Sequence, residues 1–128
     1  MQIYSFDPSI GRPLAEFGSS GATITPILRD VNQLAIVACI RLEPHGVVGM
    51  HESVGHQLLL IVRGDGFAAG EAGQPVEVSE GTAVYLQPGE MHETRAGEGG
   101  LVVIVLEGEK LEPDKLMVRS NQRDQDEP

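Results

Sequence analysis

Basic charge and aromatic side chains are both scarce in this sequence. Nine lysine and arginine residues stand against nineteen aspartate and glutamate residues, for a formal net charge of −10. A chain of that sign is repelled by a phosphate backbone or an anionic membrane surface, so nucleic acid is not an expected partner. The absence of tryptophan, with two tyrosines and three phenylalanines, leaves few rings on which a sugar or nucleobase would stack.

Cysteine and long apolar runs are scarce as well. The single cysteine, Cys39, has no internal disulfide partner, and its apolar, alternating surroundings predict a buried and inert thiol. The longest apolar run, around residues 58–62, is far shorter than the ~20 residues of a membrane helix, so we expect no membrane partner. The opening MQIYSFDPSIGRP has neither the basic nor the apolar region of a secretory signal, and we expect a cytoplasmic protein.

Short alternating segments separated by glycine-rich turns predict an all-β fold. Apolar side chains alternate at Leu34, Ile36, Ala38, Ile40 and Leu42, which is typical of a strand with one face in a core. Similar runs lie at 23–28, 58–62, 67–69, 76–78, 83–86 and 101–106, with turn signals such as Gly64-Asp65-Gly66 between them. Closely spaced short strands indicate a sandwich or a barrel.

The length and the polarity of the chain suggest one domain with two different ends. We assign residues 1–20 to an N-terminal arm and edge strand, 21–108 to the β-barrel, and 109–128 to a polar, partly disordered C-terminal tail. The segments 58–61 and 101–106 are apolar on both faces. One face would lie in the barrel and the other would contact a partner subunit, which predicts a homodimer.

Two segments, GMHESVGHQLLLIVRGDG at 49–66 and GTAVYLQPGEMH at 81–92, carry most of the polar residues that can do chemistry. They resemble the two motifs of the cupin superfamily, of which the first is written His-x-His, three or four residues, Glu or Gln, six residues, Gly. The residues in register are His51, Gln57, Gly64, Gly81, Gly89 and His92. Gln87 replaces a usual proline, and Ser53 replaces the second histidine. The resemblance implies a small, single-domain jelly-roll β-barrel.

The resemblance also implies a metal site. Metal-bearing cupins usually have three histidines and a glutamate at these positions, which here correspond to His51, Ser53, Gln57 and His92. A divalent metal (Mn, Fe, Ni, Cu or Zn) would therefore be held by His51, Gln57 and His92, with His51 and His92 as the catalytic residues. Even offsets along one strand would point His51, Ser53 and Gln57 to the same face. A Ser53→His substitution would then add a donor and raise metal affinity.

Four further polar residues are candidates with an open assignment. His56 stands at an odd offset from His51, so a regular strand turns it away, whereas a bulge at Gly55 would make it the third metal ligand. Ser53, Arg63 and Tyr85 are candidates for substrate contact, although packing is the favoured role for Tyr85. His45 falls in a turn and is expected in solvent.

These features predict a small, mainly aliphatic pocket for a compact organic acid or keto compound. Three functions remain open. The first is a metal-dependent isomerase, lyase or dioxygenase. The second is a metal-free enzyme with His51 or His92 as general base, and the third is a non-catalytic, metal-free ligand-binding or regulatory barrel.

Overall fold

The computed structural model describes residues 1–20, 23–29, 31 and 33–120. Its strands are β1 Gln2–Ser5, β2 Arg12–Pro13, β3 Thr23–Ile24, β4 Leu34–Leu42, β5 Val47–Glu52, β6 His56–Gly70, β7 Val76–Ser79, β8 Thr82–Leu86, β9 Met91–Gly108 and β10 Val118–Arg119. Three short 3₁₀ helices lie at Pro8–Ile10, Glu16–Gly18 and Pro113–Lys115. The described residues contain no helix that is long and apolar enough to cross a bilayer.

The strands confirm the all-β class. One sheet runs in the order β10-β1-β8-β6-β9-β4, with β5 added to β9 and β7 added to β6, while β2 and β3 form a separate two-stranded sheet. All pairings are antiparallel. Among the described residues this sheet does not close on itself, and β10 and β4 stand at its two ends. β1 lies between β10 and β8, away from the edge.

Alternation along the central strands divides the core between the two faces of the sheet. On β6, Leu59 and Ile61 join the inner cluster, whereas Leu58 and Leu60 join the outer cluster. Strands β8 and β9 alternate in the same way. The inner cluster is the larger and contains Met1, Ile3, Leu59, Ile61, Ala68, Val76, Val78, Val84, Leu86, Ala96, Leu101, Val103 and Val105.

The outer face of the central strands is covered by the chain itself. Leu111 and Met117 are 3% and 4% exposed and pack against Leu58 and Leu60, together with the partly buried Ile27, Leu28 and Val31. A partner subunit is therefore not needed to cover these central strands, which corrects the reason given for a dimer. Residues 109–120, assigned to the tail, include this packed segment and strand β10. Residues 121–128 lie outside the described part.

The glycine-rich segment predicted as a turn, and a second glycine-rich segment opposite it, are irregular points inside long strands. Gly64-Asp65-Gly66 lies within β6, and residues 97–100 lie opposite it within β9. Gly64 has φ +87°, and a Cβ on Gly66 would stand 2.0 Å from the carbonyl oxygen of Arg95. The two backbones approach so closely at Gly66 that a side chain would not fit between them. The positive φ at Gly64 accompanies a bulge, which bends the paired strands.

Strand β4 is the exposed end of the sheet. Its register with β9 places Ile40 and Leu42 beside Val103 and Leu101 on the inner face, as the alternation predicted. Cys39 is exposed, so the prediction of a buried thiol is wrong. Cys39 lies on the outer face of an edge strand. An alternating sequence pattern predicts which face a side chain is on, but not whether another element covers that face.

Candidate functional site

The site forms where a short loop docks onto a tight turn. The loop at 53–55 separates β5 from β6, and the turn at 87–90 precedes β9. The backbone N–H of Ser53 donates to the carbonyl of Glu90 at 2.8 Å, and that of Gly89 donates to the carbonyl of Ser53 at 2.8 Å. Gly89 has φ +88°, as the third residue of a type II turn after Pro88 requires. These bonds bring the end of β5 against the start of β9.

His51 and His92 are thereby placed next to each other. They are cross-strand partners in the β5–β9 pair, and their ring centroids are 4.3 Å apart with the planes inclined by 51°. His51 and Gln57 belong to different strands, so their predicted placement on one strand is wrong, although both line the same cavity. A register shift between Val48 and His51 interrupts the ladder just before the site.

The backbone determines which nitrogen of each imidazole is available. Nδ1 of His51 lies 2.7 Å from the carbonyl of Gly49, and Nδ1 of His92 lies 3.4 Å from the carbonyl of Glu90. A carbonyl only accepts hydrogen bonds, so Nδ1 is the protonated nitrogen in each neutral ring. Nε2 therefore keeps its lone pair for a metal or a proton, which is the usual arrangement in histidine metal ligands.

His92 is the more enclosed member of the pair. Its side chain is 4% exposed, whereas His51 is exposed. Burial lowers the pKa of His92 below its ordinary value, and the neighbouring imidazole of His51 lowers it further. Burial acts against the charged form, and a second cation would repel it. His92 is consequently a neutral base at neutral pH.

Gln57 lines the cavity, and its amide has a partner that sequence analysis missed. Its amide nitrogen donates to Oε1 of Glu107 at 2.7 Å. The two residues are cross-strand partners on β6 and β9. With its nitrogen engaged, the amide has Oε1 free as an acceptor. The signal for Glu107 was its place two residues after Val105, on the inward face of an alternating strand.

The cavity around these groups is small and mainly apolar. It has a volume of about 100 Å³, and its walls are Ile40, Leu42, Val48, Leu59, Val103 and Val105, with His51, Gln57, His92 and Thr94 as the polar members. Thr94 is 7% exposed, and within the described residues its hydroxyl has no hydrogen-bond partner. The volume is below the ~300 Å³ of a drug-sized pocket, so only a compact molecule fits.

Ser53 and Arg63 do not line this cavity. Ser53 is 1% exposed, and its hydroxyl donates to the carbonyl of Gly55 at 2.7 Å, so it stabilises the loop between β5 and β6. Arg63 is exposed on β6 near the irregular Gly64. The loop ends strand β5 before Ser53, which is why even spacing from His51 did not place this hydroxyl in the cavity.

Tyr85 and His56 lie on the other face of the sheet. The hydroxyl of Tyr85 is 2.7 Å from Nδ1 of His56, and the rings are stacked with centroids 6.0 Å apart. Tyr85 is a buried member of the outer cluster, and burial raises its pKa. The structure thus places His56 away from His51 and His92. His45 is exposed in a turn with φ +62°, in agreement with the sequence analysis.

None of the described residues that line the cavity carries a carboxylate. Within the described residues, no group of three or more His, Cys, Asp and Glu side chains is arranged to hold a metal ion. The available donors are two imidazole nitrogens and one amide oxygen. A wider groove of about 580 Å³ lies elsewhere, but its Lys110 and Lys115 are paired with Glu112.

Solved structures share this fold, whereas no family model and no curated protein matches the sequence. A predicted oxalate decarboxylase from Thermotoga maritima matches with a TM-score of 0.53 and 24% identity, over 57% of this chain and 64% of that protein. This chain thus spans just under two thirds of that relative's length. A cupin superfamily protein from Desulfitobacterium hafniense matches with a TM-score of 0.54 and 14% identity, over 77% of this chain and 92% of that one.

The match extends over most of the chain in a third structure. A protein with a double-stranded β-helix domain from Klebsiella pneumoniae matches with a TM-score of 0.53 and 15% identity, over 89% of this chain and 93% of that one. At these identities the likeness concerns the backbone architecture. The resemblance predicted from the two motifs is therefore confirmed for the architecture, and the chain has the fold of the cupin superfamily.

Proposed function

We propose that this protein binds a compact organic acid or keto compound at His51 and His92, together with a divalent metal ion, and acts on it as an isomerase, lyase or dioxygenase. The observation that carries the proposal is the pair of imidazoles whose Nδ1 atoms both face backbone carbonyls. The fold likeness supports an interpretation of the large sheet as part of a jelly-roll barrel, with this pocket at its mouth.

The donor set fits a weakly held metal ion. His51 and His92 would supply Nε2, and Gln57 would supply Oε1. Imidazole suits Zn, Cu, Fe and Ni, and a site with three protein ligands leaves positions open for a substrate. When bound, the ion would act as a Lewis acid that polarises a carbonyl group.

The side chains themselves would perform the remaining tasks. The apolar walls, which include Ile40, Leu59 and Val105, exclude water from the pocket. His92 is neutral and enclosed, so it can accept a proton from a carbon next to a carbonyl. The hydroxyl of Thr94, which has no partner among the described residues, is available for a hydrogen bond with the ligand.

The charge of the pocket separates the two ligand classes. No lysine or arginine is among the described residues that line it, and the whole chain carries −10. An organic acid therefore needs the metal ion as its counter-charge. A neutral keto compound does not, because the imidazoles, the amide and the threonine hydroxyl can form its hydrogen bonds.

The missing carboxylate favours a second candidate function, which is metal-free binding of a neutral carbonyl compound. In that case His92 acts as a base or as a hydrogen-bonding group without any ion. The two candidates differ in their response to a chelator, which removes binding in the first and leaves it unchanged in the second.

Calorimetric titration with Mn, Fe, Ni, Cu and Zn salts tests the proposal. We expect one ion per chain for the natural protein and an affinity at least about 100-fold lower for His92→Ala, since a direct ligand counts for more than a supporting group. His56→Ala is the matched control, because it removes a half-buried histidine on the other face. Equal losses in both variants, or no binding by the natural protein, would contradict the metal site.

Oxalate and pyruvate are suitable small probes for the ligand. Their binding is expected with the metal-loaded protein and not after chelation. Binding of a neutral ketone that survives chelation would favour the second candidate, and a metal-loaded protein that binds none of these compounds would contradict the ligand class.

A further inference from the structure

Strand β4 leaves one of its two backbone edges without a neighbour. It pairs with β9 on one side, and the described residues provide no strand on its other side. Its nine residues span about 30 Å at the rise of a β-strand. The pairing of β4 with β9 shifts register between Leu34 and Ile36 and is regular from Ile36 to Leu42. A long edge with free N–H and C=O groups is a ready template for another strand, and natural proteins usually cover or interrupt such edges.

The side chains of β4 are also uncovered. Val37 is 63% exposed, Ile36 is 48% exposed and Leu34 is 41% exposed. Val37 and Cys39 lie on the outer face, in register with Leu106 and Ile104, whereas Ile36 lies on the inner face. Apolar side chains on both faces of one edge strand are more than the scattered exposed residues of an ordinary surface.

The charge of β4 differs from that of the rest of the chain. Nineteen acidic residues give the protein a net charge of −10, but the segment Leu34–Leu42 contains no acidic residue and a single basic one, Arg41. Two copies of so acidic a protein repel each other over most of their surfaces. An acid-free apolar edge is where that repulsion is weakest, so it suits an identical edge better than it suits a basic partner.

We propose that two copies of this chain associate through β4, with the two strands antiparallel about a twofold axis near Ala38. In this arrangement Ile36 lies beside the partner's Ile40 on the inner face and Val37 beside the partner's Cys39 on the outer face, so apolar side chains meet on both faces. The free backbone groups of each edge become hydrogen-bonded to the other. Because the contact uses the same surface on both copies, it closes as a dimer and does not extend into a fibre.

The proposed contact also borders the pocket. Ile40 and Leu42 are part of the cavity wall, and both are only partly buried. The partner's β4 would run alongside that wall. The contact does not depend on the proposed function, since it involves neither His51 nor His92.

Sedimentation velocity at micromolar concentration tests the contact. The natural protein is expected to be a dimer. Val37→Glu places a charge from each copy at the centre of the contact, and like charges there should weaken association on the order of 100-fold. Val54→Glu is the matched control, because Val54 is 83% exposed in the loop between β5 and β6. It should remain dimeric.

Cys39 allows a second measurement on the natural protein, which requires no substitution. It is the single cysteine of the chain and is exposed on β4. Two antiparallel copies bring the Cys39 thiols within about 10 Å of each other. A bismaleimide of that span should therefore crosslink the natural protein into covalent dimers. A monomeric natural protein, or a dimer that is neither crosslinked at Cys39 nor weakened by Val37→Glu, would overturn the proposal.

Discussion

The amide nitrogen of Gln57 lies 2.7 Å from Oε1 of Glu107, across the β6–β9 pair. A carboxylate accepts hydrogen bonds and does not donate them when ionised. Glu107 therefore selects one of the two orientations of the amide, the one in which Oε1 remains free. The carboxylate of Glu107 thus determines whether Gln57 can act as an oxygen ligand.

The substitution Glu107→Gln should lower metal affinity by about tenfold, the scale of change when a supporting partner of a ligand is lost. A glutamine at this position can donate as well as accept, so the amide of Gln57 is free to turn its nitrogen to the pocket. Calorimetric titration measures the effect. Glu109→Gln is the control, because Glu109 is exposed just after β9. Equal affinities for the two variants would show that Glu107 does not orient Gln57.

The substitution Ser53→His should not raise metal affinity, in contrast to the expectation from spacing. Ser53 is 1% exposed, and its hydroxyl bonds to Gly55. A larger side chain there displaces the loop that docks on the turn at 87–90, at a cost of about 1–3 kcal/mol. Chemical unfolding should report the lost stability, and titration should report equal or weaker binding. A stable variant with tighter binding would show that the side chain at position 53 reaches the pocket.

The sequence predicted that residues 58–61 and 101–106 are covered on both faces, because both segments are apolar throughout. Leu58, Leu59, Ile104 and Val105 each occupy the face that a period of two requires. Alternation did not decide the position of His56, because a loop separates its strand from that of His51. The sequence also predicted the turn at Gly89, which precedes His92.

The same alternation could not predict how the strands continue through glycine. On β9 the inward residues are His92 and Thr94 before residues 97–100, and Leu101 and Val103 after them. The residues that face inward thus have even numbers before the irregular segment and odd numbers after it. The pairing with β6 determines this change. The Glu107–Gln57 bond was not predicted either, because it depends on the register of two strands fifty residues apart.

The substitution Tyr85→Phe should affect stability without affecting the pocket. It removes the hydrogen bond to His56 in the outer cluster, and the loss should cost about 1 kcal/mol. The midpoint of thermal unfolding should fall by roughly 4 °C for a domain of this size. Metal and ligand titrations should be unchanged, because the side chain lies on the other face of the sheet. A change in ligand affinity with unchanged stability would show that Tyr85 contacts the ligand.

The stability of the metal-free protein should depend on pH through His92. Burial, followed by the charge of His51, lowers the pKa of this imidazole from 6.5. The unfolded chain, with the ordinary pKa, takes up a proton at a higher pH than the folded chain does. Stability is therefore greatest above 6.5 and falls as the pH decreases from there towards the lowered pKa.

Urea unfolding with a chelator present, at pH values on either side of 6.5, measures this dependence. The His92→Gln variant should lose part of the slope, because it has no imidazole to protonate in the unfolded state. His45→Asn is the control, since His45 is exposed and asparagine tolerates its φ of +62°. The control should keep the slope of the natural protein. If His92→Gln also keeps it, the buried imidazole of His92 is not the source of the pH dependence.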